Sequence, residues 1–298
     1  MTSPRDFRPL PAPIFVLGWR AADTALVGAV LGRNPDAFGM PELNLFVGST
    51  LQDVLVEMPW QRQGAAPGQS HVHGLLRALA YIYGGEQTIV ALGMAQRWVL
   101  RRINWPTNRV LDELRGSVAP LRLVDKSSVY SQRSQCLQRI RVHYPDAFYV
   151  HVVDHPLTAR RARAGSARNR RRGAEGSGSD REEQMQWLEG QRRIADALAD
   201  VPPQQRALLR MEDLIGIPRL ALADLCNVIG LRADAAALAA MRRPQDSPFA
   251  GIGPVGANLG DDPAFLRRPA FPRRRRAIAA QARMLDEVAA VAAEYGYA

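Results

Sequence analysis

The turn at residues 18–25 is the first place in this chain where residue types and spacing predict the binding of an anion. An apolar run at 14–17, closed by Gly18, has the length and β-branched character of a buried parallel strand. The small and apolar residues that follow, up to Leu31, suit a helix packed on a sheet. A strand, a short turn and a helix aim backbone N–H groups and the positive end of a helix dipole at one point. The sequence therefore predicts a phosphate or sulfate site, to which Thr24 could add a hydroxyl donor; the alternative is a first β-α unit without a ligand.

Lys126 is the second candidate, because it is the only lysine among 39 Lys and Arg residues. A biased genome composition can replace lysine by arginine without a functional cause, so the surviving lysine is of interest. Lys126 lies in the segment 120–128, a predicted short strand that ends on charged and hydroxyl residues. Open α/β sheets bind ligands at the carboxyl ends of their strands. We therefore expect Lys126 to face a ligand; the alternative is a solvated lysine in a loop.

The elements that must position these residues follow from length and periodicity. The chain has 298 residues, of which 47% are hydrophobic and 23% charged, so we expect one α/β domain over 1–298 rather than two small domains. A further apolar run predicts a strand at 148–153, and a short strand is predicted at 206–210. Helical apolar spacing predicts the remaining elements, which are helices at 25–31, 43–56, 71–83, 86–102, 107–118, 131–144, 184–199, 219–231 and 274–295. Thr107 is the predicted N-cap of the helix at 107–118.

The formal net charge of +10 fits nucleic acid, an anionic surface or an anionic small molecule as a partner. Much of the excess lies in two arginine clusters, at 160–172 and 273–276, rather than along an aromatic-bearing face. A nucleic-acid partner is therefore the less favoured alternative. The segment 160–183 is rich in Arg, Gly and Ser without apolar periodicity, so we expect a mobile excursion there. Its charges are either solvated or form a basic flap or tether.

Composition also indicates which classes of protein to set aside. No apolar run approaches about 20 residues, and the N-terminus lacks the apolar centre of a signal peptide, so we expect a cytoplasmic protein without a membrane span. Cys136 and Cys226 lie outside any metal-ligand spacing, which indicates buried thiols rather than a disulfide or zinc site. His71 and His73 diverge on a helix and are interpreted as capping or packing residues. No metal is predicted.

Several short motifs occur in an order that resembles the bacterial sulfotransferases that use 3′-phosphoadenosine 5′-phosphosulfate. They are FVLG, PEL, HGLLRAL, LVDKSS, a strand in YPDAFYVHVV that ends in His-Pro, LLRMEDL, and SPFAGIGP followed by GDDPAFL. The resemblance covers residues 13–269. It implies an α/β fold with a central parallel sheet flanked by helices, as in nucleotide kinases, and a donor nucleotide at the carboxyl ends of the strands. The implied activity is transfer of a sulfuryl group to a hydroxyl or amine of a small molecule, whose identity is not predicted.

The resemblance places the 5′-phosphosulfate of the donor on the first turn. The family's turn usually reads Cys-Pro-Arg-Ser-Gly-Thr-Thr after the glycine. Here Ala21 stands at the arginine position and Asp23 at the second glycine, while Thr24 matches. A carboxylate repels a phosphosulfate, and Arg20 could restore the positive charge. The implied donor-binding residues of this turn are Gly18, Trp19, Arg20, Ala21, Ala22, Asp23, Thr24 and Ala25.

The resemblance also implies a second donor contact, at the end of the 148–153 strand. The family commonly ends this strand in Arg-His-Pro or Arg-Asp-Pro, with the arginine gripping the 3′-phosphate and a serine eight residues later. This chain has Asp154 and Ala162 at those positions. A carboxylate in place of the arginine inverts the local charge. Arg160 and Arg161 are near enough in sequence to compensate.

Two residues match catalytic positions of the family. Glu42 matches a glutamate that several members use as general base, which removes the proton of the acceptor as it attacks. The alternative is a rim carboxylate that caps the following helix. Lys126 matches a lysine that neutralises charge on the transferring group or the leaving phosphate.

Four departures from the family pattern support an alternative function. Ala21, Asp23, Asp154 and Ala162 all fall at the two places that hold the nucleotide. The alternative is a degenerate member that keeps the fold, no longer uses this donor, and acts as a binding or regulatory partner.

Overall fold

A computed structural model describes residues 9–58, 72–159, 180–272 and 283–297. Its centre is a sheet of five strands in the order β2-β3-β1-β4-β5, in which every neighbouring pair is parallel. The α/β prediction with a central parallel sheet is confirmed. The strands are β1 (Ile14–Gly18), β2 (Ala37–Gly39), β3 (Arg122–Asp125), β4 (Phe148–Val153) and β5 (Arg206–Arg210).

Helices flank the sheet in the described parts of the chain. They are α1 (Ala21–Leu31), α2 (Leu51–Glu57), α3 (His73–Gly84), α4 (Ile89–Leu100), α5 (Thr107–Val118), α6 (Ser134–His143), α7 (Asp180–Leu198), α8 (Met211–Gly216), α9 (Pro218–Ile229), α10 (Ala235–Met241), α11 (Pro263–Arg267) and α12 (Asp286–Glu294). None of them is long and apolar enough to cross a membrane.

Strand β1 is buried on both faces, which is why it reads as an unbroken apolar run. Phe15 and Leu17 face a core that includes apolar side chains of α2 to α6, whereas Ile14 and Val16 face a second core that includes those of α1 and α9. The ring of Phe15 lies among the rings of Phe46, Tyr130, Tyr144 and Tyr149, with centroids 6.0–6.4 Å away. These two cores fix the carboxyl end of β1, and with it the turn that follows.

The strand order places a crevice between β1 and β4. The chain leaves β1 toward β2 on one side of the sheet, and it leaves β4 toward β5 on the other. Ligands of open α/β sheets bind where connections diverge in this way, outside the carboxyl ends of the strands. The turn after Gly18 and the segment after Val153 therefore flank the expected binding crevice.

The helix predicted at 43–56 is wrong in its first half. A short 3₁₀ turn at Leu45–Val47 is followed by α2, which begins only at Leu51. The break follows from local side-chain bonds: the Thr50 hydroxyl accepts from the Asp53 N–H at 3.3 Å, and the Asp53 carboxylate accepts from the Thr50 N–H at 2.9 Å. This reciprocal cap sets the start of the helix.

Other boundaries differ for similar local reasons. Thr107 is the first residue of α5 rather than its N-cap, and its hydroxyl donates to the carbonyl of Gly48 at 3.2 Å. The helix predicted at 131–144 begins at Ser134 after a 3₁₀ turn. Helix α10 was not predicted; Asp234 caps it by accepting from the N–H groups of Ala236 and Ala237.

Several predictions, including those on Arg160, Arg161 and Ala162, fall wholly or partly outside the described residues. His71 lies there, as do residues 160–179 of the predicted excursion, and residues 180–183 belong to the first turn of α7 rather than to a mobile segment. Residues 273–282 of the last predicted helix also lie outside the described ranges. In the described part, that helix begins at Asp286 instead of continuing from 274.

Candidate active site

Glu42 is buried near the carboxyl edge of the sheet, just beyond β2. The extended chain after β2 continues the pairing with β3, since the N–H of Met40 donates to the carbonyl of Val124 at 2.9 Å. The Glu42 carboxyl accepts from the hydroxyl of Ser128 at 2.6 Å and from its N–H at 3.2 Å. The alternative of a rim carboxylate that caps the next helix is therefore wrong, because this carboxyl is buried and bonded to Ser128.

Burial gives Glu42 an unusual proton affinity. Desolvation, with a further contribution from the charge of Asp261, raises the pKa of Glu42 to about 7. The hydrogen bonds from Ser128 and the charge of Lys126 act in the opposite direction. A carboxyl that titrates near neutral pH can accept a proton from a hydroxyl or ammonium group and release it again at the working pH.

Lys126 lies directly after β3 with its ammonium inside the protein. Its side chain is 3% exposed, so the alternative of a solvated loop lysine is wrong. The Nζ atom is 2.5 Å from a carboxylate oxygen of Asp261 and 3.5 Å from the carbonyl oxygen of Ala25. The stem packs on Gly28 of α1, where a Cβ atom would come within 2.3 Å of Cδ of Lys126. Lys126 therefore lies beside the first turns of α1.

Arg77 fastens the segment 248–262, which carries Asp261, to α3. Its guanidinium donates to the carbonyls of Phe249, Gly251 and Leu259 at 3.0–3.2 Å, and to the side chain of Gln87 at 2.6 Å. Arg77 is buried, and burial lowers the pKa of its guanidinium from the usual value. Although it lies within HGLLRAL, Arg77 was not singled out by the sequence analysis.

Asp125 supports the end of β3 from inside. Its carboxylate accepts from the hydroxyl of Ser127 at 2.6 Å, from the N–H of Ser127 at 3.0 Å and from the hydroxyl of Tyr130 at 2.9 Å. Desolvation raises the pKa of Asp125 to about 6 against these bonds. The Ser127 hydroxyl in turn accepts from the N–H of Asn44 at 2.9 Å, so this network ties the Glu42 segment to the lysine segment.

The predicted anion-binding turn begins helix α1. The helix starts at Ala21, so its positive end faces the crevice. Part of its donor capacity is used internally: the N–H groups of Asp23 and Thr24 donate to the carbonyl of Arg20, and the Thr24 hydroxyl donates to that of Ala21 at 3.0 Å. The N–H of Gly18 donates to the hydroxyl of Ser131 at 3.0 Å.

The other residues of this turn are packed rather than exposed. Trp19 lies against Gly190 of α7, where a Cβ atom would approach its ring to 2.6 Å. Asp23 and Ala25 are buried in the first turns of α1, next to Ala22. A carboxylate in the first turn stabilises the helix dipole, and it competes with an anionic ligand for the same positive end.

Arg20 and Asp154 form an ion pair across the crevice between β1 and β4. One guanidinium nitrogen is 3.1 Å from a carboxylate oxygen, and the two side chains are 15% and 3% exposed. The backbone carbonyl of Asp154 accepts from the indole N–H of Trp187 at 3.0 Å, which fixes the segment after β4. The charge that Arg20 brings to the turn is thus balanced by Asp154. Arg160 and Arg161, the other predicted donor contacts, lie outside the described residues.

The structure brings Glu42, Lys126 and the start of α1 to one edge of the sheet. Sequence reasoning missed Ser128, Arg77 and Asp261, each of which contacts one of these groups or the segment that covers them. All three occur within the motifs LVDKSS, HGLLRAL and GDDPAFL. The motifs could have indicated their importance, but not their partners.

Two open surface cavities lie away from this edge. One, of about 520 Å³, lies between α6 and α7, with Arg141, Val142 and Arg193 in its wall. Another, of about 710 Å³, includes Arg242 and Phe271. Neither contains Glu42 or Lys126. Among the described residues, no group of three or more His, Cys, Asp or Glu side chains could hold a metal ion.

The fold and the edge just described define a nucleotide-kinase-like α/β protein with a buried carboxyl and ammonium at the binding crevice. A model of the Sulfotransferase family matches residues 13–235. The chain belongs to this family. No curated protein matches the chain significantly.

Two solved structures are similar over nearly the full length. The sulfotransferase domain from the curacin biosynthetic pathway is 20% identical, with 98% of this chain and 99% of that chain covered and a TM-score of 0.78. The sulfotransferase domain from the Synechococcus PCC 7002 olefin synthase is 21% identical, with 98% and 97% covered and a TM-score of 0.75. At these identities the likeness establishes the fold.

Proposed function

We propose that this chain transfers a sulfuryl group from 3′-phosphoadenosine 5′-phosphosulfate to a hydroxyl or amine of a small molecule. The observation that carries the proposal is the buried cluster of Glu42 and Lys126 beside the start of α1, in a member of the Sulfotransferase family. A base for the acceptor and a cation for the leaving group are the two chemical needs of sulfuryl transfer. The cluster supplies both within one edge of the sheet.

In the proposed reaction the acceptor oxygen or nitrogen attacks the sulfur of the donor. Its proton goes to the Glu42 carboxylate as the new bond to sulfur forms. The bond between sulfur and the bridging oxygen breaks, and its electron pair stays on the 5′-phosphate of the leaving nucleotide. Lys126 donates a hydrogen bond to that oxygen as its negative charge grows, which stabilises the transition state more than the ground state.

The described residues fit the phosphosulfate end of the donor. Those N–H groups at the start of α1 that are not used within the turn, together with the helix dipole, would hold the phosphosulfate, with Lys126 at its side. For the 3′-phosphate the described residues offer Arg20, whose charge Asp154 balances at 3.1 Å. Binding of that phosphate would require Arg20 to divide its donors between Asp154 and the ligand, which its five N–H groups permit.

The similar structures support a small-molecule acceptor. By their names they come from a biosynthetic pathway and an olefin synthase. The single domain over 1–298, the cytoplasmic location and the disfavoured nucleic-acid partner stay predictions from the sequence.

A transfer assay tests the proposal. The chain would be incubated with donor carrying ³⁵S in the sulfuryl group and with a panel of phenols, alcohols and amines. We expect labelled product with at least one class of acceptor, and about 10²–10⁴-fold less with Glu42→Gln, which keeps the Ser128 contact but cannot take the proton. Labelled product at equal rates from both proteins would remove Glu42 from the mechanism. Nucleotide binding without transfer to any acceptor would favour the alternative of a binding partner.

A further inference from the structure

Asp261 contacts one of the two groups that the proposed reaction uses and acts electrostatically on the other. Its carboxylate oxygen is 2.5 Å from the Lys126 ammonium, and its side chain is 1% exposed. The preceding residue, Gly260, accepts a hydrogen bond from the N–H of Glu42 at 2.8 Å. Asp261 also contributes to the raised proton affinity of Glu42. One buried carboxylate thus contacts the ammonium and acts electrostatically on the candidate base.

The position of Asp261 is fixed by three independent contacts of its segment. Arg77 binds carbonyls on the N-terminal side of Asp261 at Phe249, Gly251 and Leu259. Gly260 has φ +107, and a Cβ atom there would come within 2.7 Å of Cα of Gly74, so only glycine allows this approach. On the C-terminal side, the next residue caps α11. Because its backbone is so constrained, the side chain of Asp261 is suited to a lasting contact with Lys126 rather than to a conformational change.

The contacts of the Lys126 ammonium indicate how Asp261 fixes its orientation. An ammonium has three N–H donors and no acceptor. The Nζ atom forms an ion pair with Asp261 at 2.5 Å and lies 3.5 Å from the carbonyl oxygen of Ala25. Two fixed acceptors on a rigid frame determine where the third N–H points. Without Asp261, the flexible stem of lysine would allow the ammonium to take other positions.

We propose that Asp261 is a positioning residue for sulfuryl transfer: it orients the Lys126 ammonium toward the leaving oxygen and strengthens Glu42 as a base. This inference rests on the function proposed above. Asp261 itself makes and breaks no covalent bond. The proton still passes from acceptor to Glu42, and the electron pair of the broken bond still goes to the 5′-phosphate oxygen.

The charged and titratable groups around Glu42 limit what else could produce these effects. His73 and Arg77 lie on α3, Asp125 and Lys126 at the end of β3, and Asp261 and Asp262 before α11. Of these, Asp261 raises the pKa of Glu42 and Lys126 lowers it. Removing the charge of Asp261 should therefore move the acidic limb of the pH–rate profile toward lower pH, because Glu42 would lose its proton more readily.

The single lysine allows a test that needs no activity. In protein labelled with ¹⁵N at lysine, the one ammonium signal belongs to Lys126. We expect slow hydrogen exchange of this ammonium in the unmodified chain, because it is buried and ion-paired. Asp261→Asn should speed the exchange and shift the signal, whereas Asp262→Asn, which removes the same charge one residue away and retains a good helix cap, should leave it unchanged. Exchange as fast as in free lysine would overturn the proposal even if Asp261→Asn fails to fold.

Kinetics then separate this proposal from the function on which it rests. We expect Asp261→Asn to lower turnover by about 10²-fold, the size that a displaced reacting group can cause, and to shift the acidic limb downward. Asp262→Asn should retain both. Transfer by the unmodified chain, together with an unchanged rate and limb in Asp261→Asn, would overturn the positioning role alone. Absence of transfer by the unmodified chain would overturn the proposed function and the positioning role with it.

Discussion

The guanidinium of Arg20 lies 3.1 Å from the carboxylate of Asp154, across the crevice between the ends of β1 and β4. Each residue differs from the family pattern in its charge, and the charge of each compensates that of the other. Asp154 puts a negative charge where the resemblance implies an arginine, and Arg20 puts a positive charge one residue before the position that Ala21 occupies. The two departures are thus one exchange of charge across the crevice, rather than two separate losses.

Breaking this pair should destabilise the fold. Arg20→Met removes the guanidinium from the buried Asp154 carboxylate, and we expect a loss of about 3–5 kcal/mol in the free energy of unfolding. Arg20→Met combined with Asp154→Asn removes both charges of the ion pair and should lose much less. Urea denaturation measures both.

An exposed pair provides the matched control. Arg133 and Glu57 lie 3.0 Å apart with both side chains nearly half exposed, so Arg133→Met should cost no more than about 1 kcal/mol. Equal losses for Arg20→Met and for the double variant would mean that the Arg20–Asp154 contact contributes only packing.

Glu42 should make stability depend on pH. Its pKa of about 7 in the folded chain lies above the ordinary value of 4.5, so the folded state binds this proton more tightly than the unfolded state. The resulting stabilisation is fully present below pH 4.5 and is lost as the pH rises through 7. Relative to Glu42→Gln, the unmodified chain should lose about 3 kcal/mol over this interval. Urea titrations of both proteins across the range measure the difference, and a difference independent of pH would contradict the raised pKa.

Gly28 should be required for the position of Lys126. A Cβ atom there would lie 2.3–2.8 Å from three carbons of the lysine stem, including Cβ, so Gly28→Ala must displace the ammonium or α1. We expect a loss of about 1–3 kcal/mol and a lower turnover. Gly116 in α5 has no atom within 4 Å of an added Cβ, so Gly116→Ala should be neutral or stabilising by up to about 1 kcal/mol. Thermal unfolding and transfer rates of Gly28→Ala and Gly116→Ala, measured side by side, test this requirement. Equal stability and equal turnover of the two variants would show that α1 accommodates the methyl group.

Lys126→Met should separate charge from packing. Methionine keeps much of the apolar stem on Gly28 but loses the ammonium, so we expect turnover to fall by about 10²–10³-fold. Because Lys126 is buried with Asp261, Lys126→Met should also destabilise the fold, and Asp261→Asn in the same chain should restore part of the stability. Lys126→Arg should recover little activity, since a planar fork does not fit the place of a compact ammonium. Undiminished transfer by Lys126→Met would exclude the catalytic role.

The sheet could be predicted from the sequence because the residues of its central strands form recognisable apolar runs. The apolar runs at 14–17 and 148–153 stand out, since strands buried on both faces need no alternation. The helix boundaries were harder, because caps such as Thr50 with Asp53 depend on side-chain bonds that periodicity does not register. Apolar spacing alone therefore predicted a helix at 43–56, which extends across the cap at Thr50.

The site was predictable in its reacting groups but not in their partners. Glu42 and Lys126 occur in motifs, yet the bond from Ser128 to Glu42 spans 86 residues and the bonds from Arg77 to the 248–262 segment span 172 residues or more. Such contacts are created by the packing of separate elements. The sequence analysis therefore could not show that Lys126 is buried, or that Arg20 and Asp154 meet.

Calorimetric titration of the chain with 3′-phosphoadenosine 5′-phosphate, the nucleotide product, tests the central claim most directly, because it needs no knowledge of the acceptor. If the chain uses the proposed donor, we expect saturable binding with a Kd below about 1 mM, weakened by Lys126→Met. The absence of any binding heat at about 1 mM nucleotide, with the protein folded, would contradict the use of this donor.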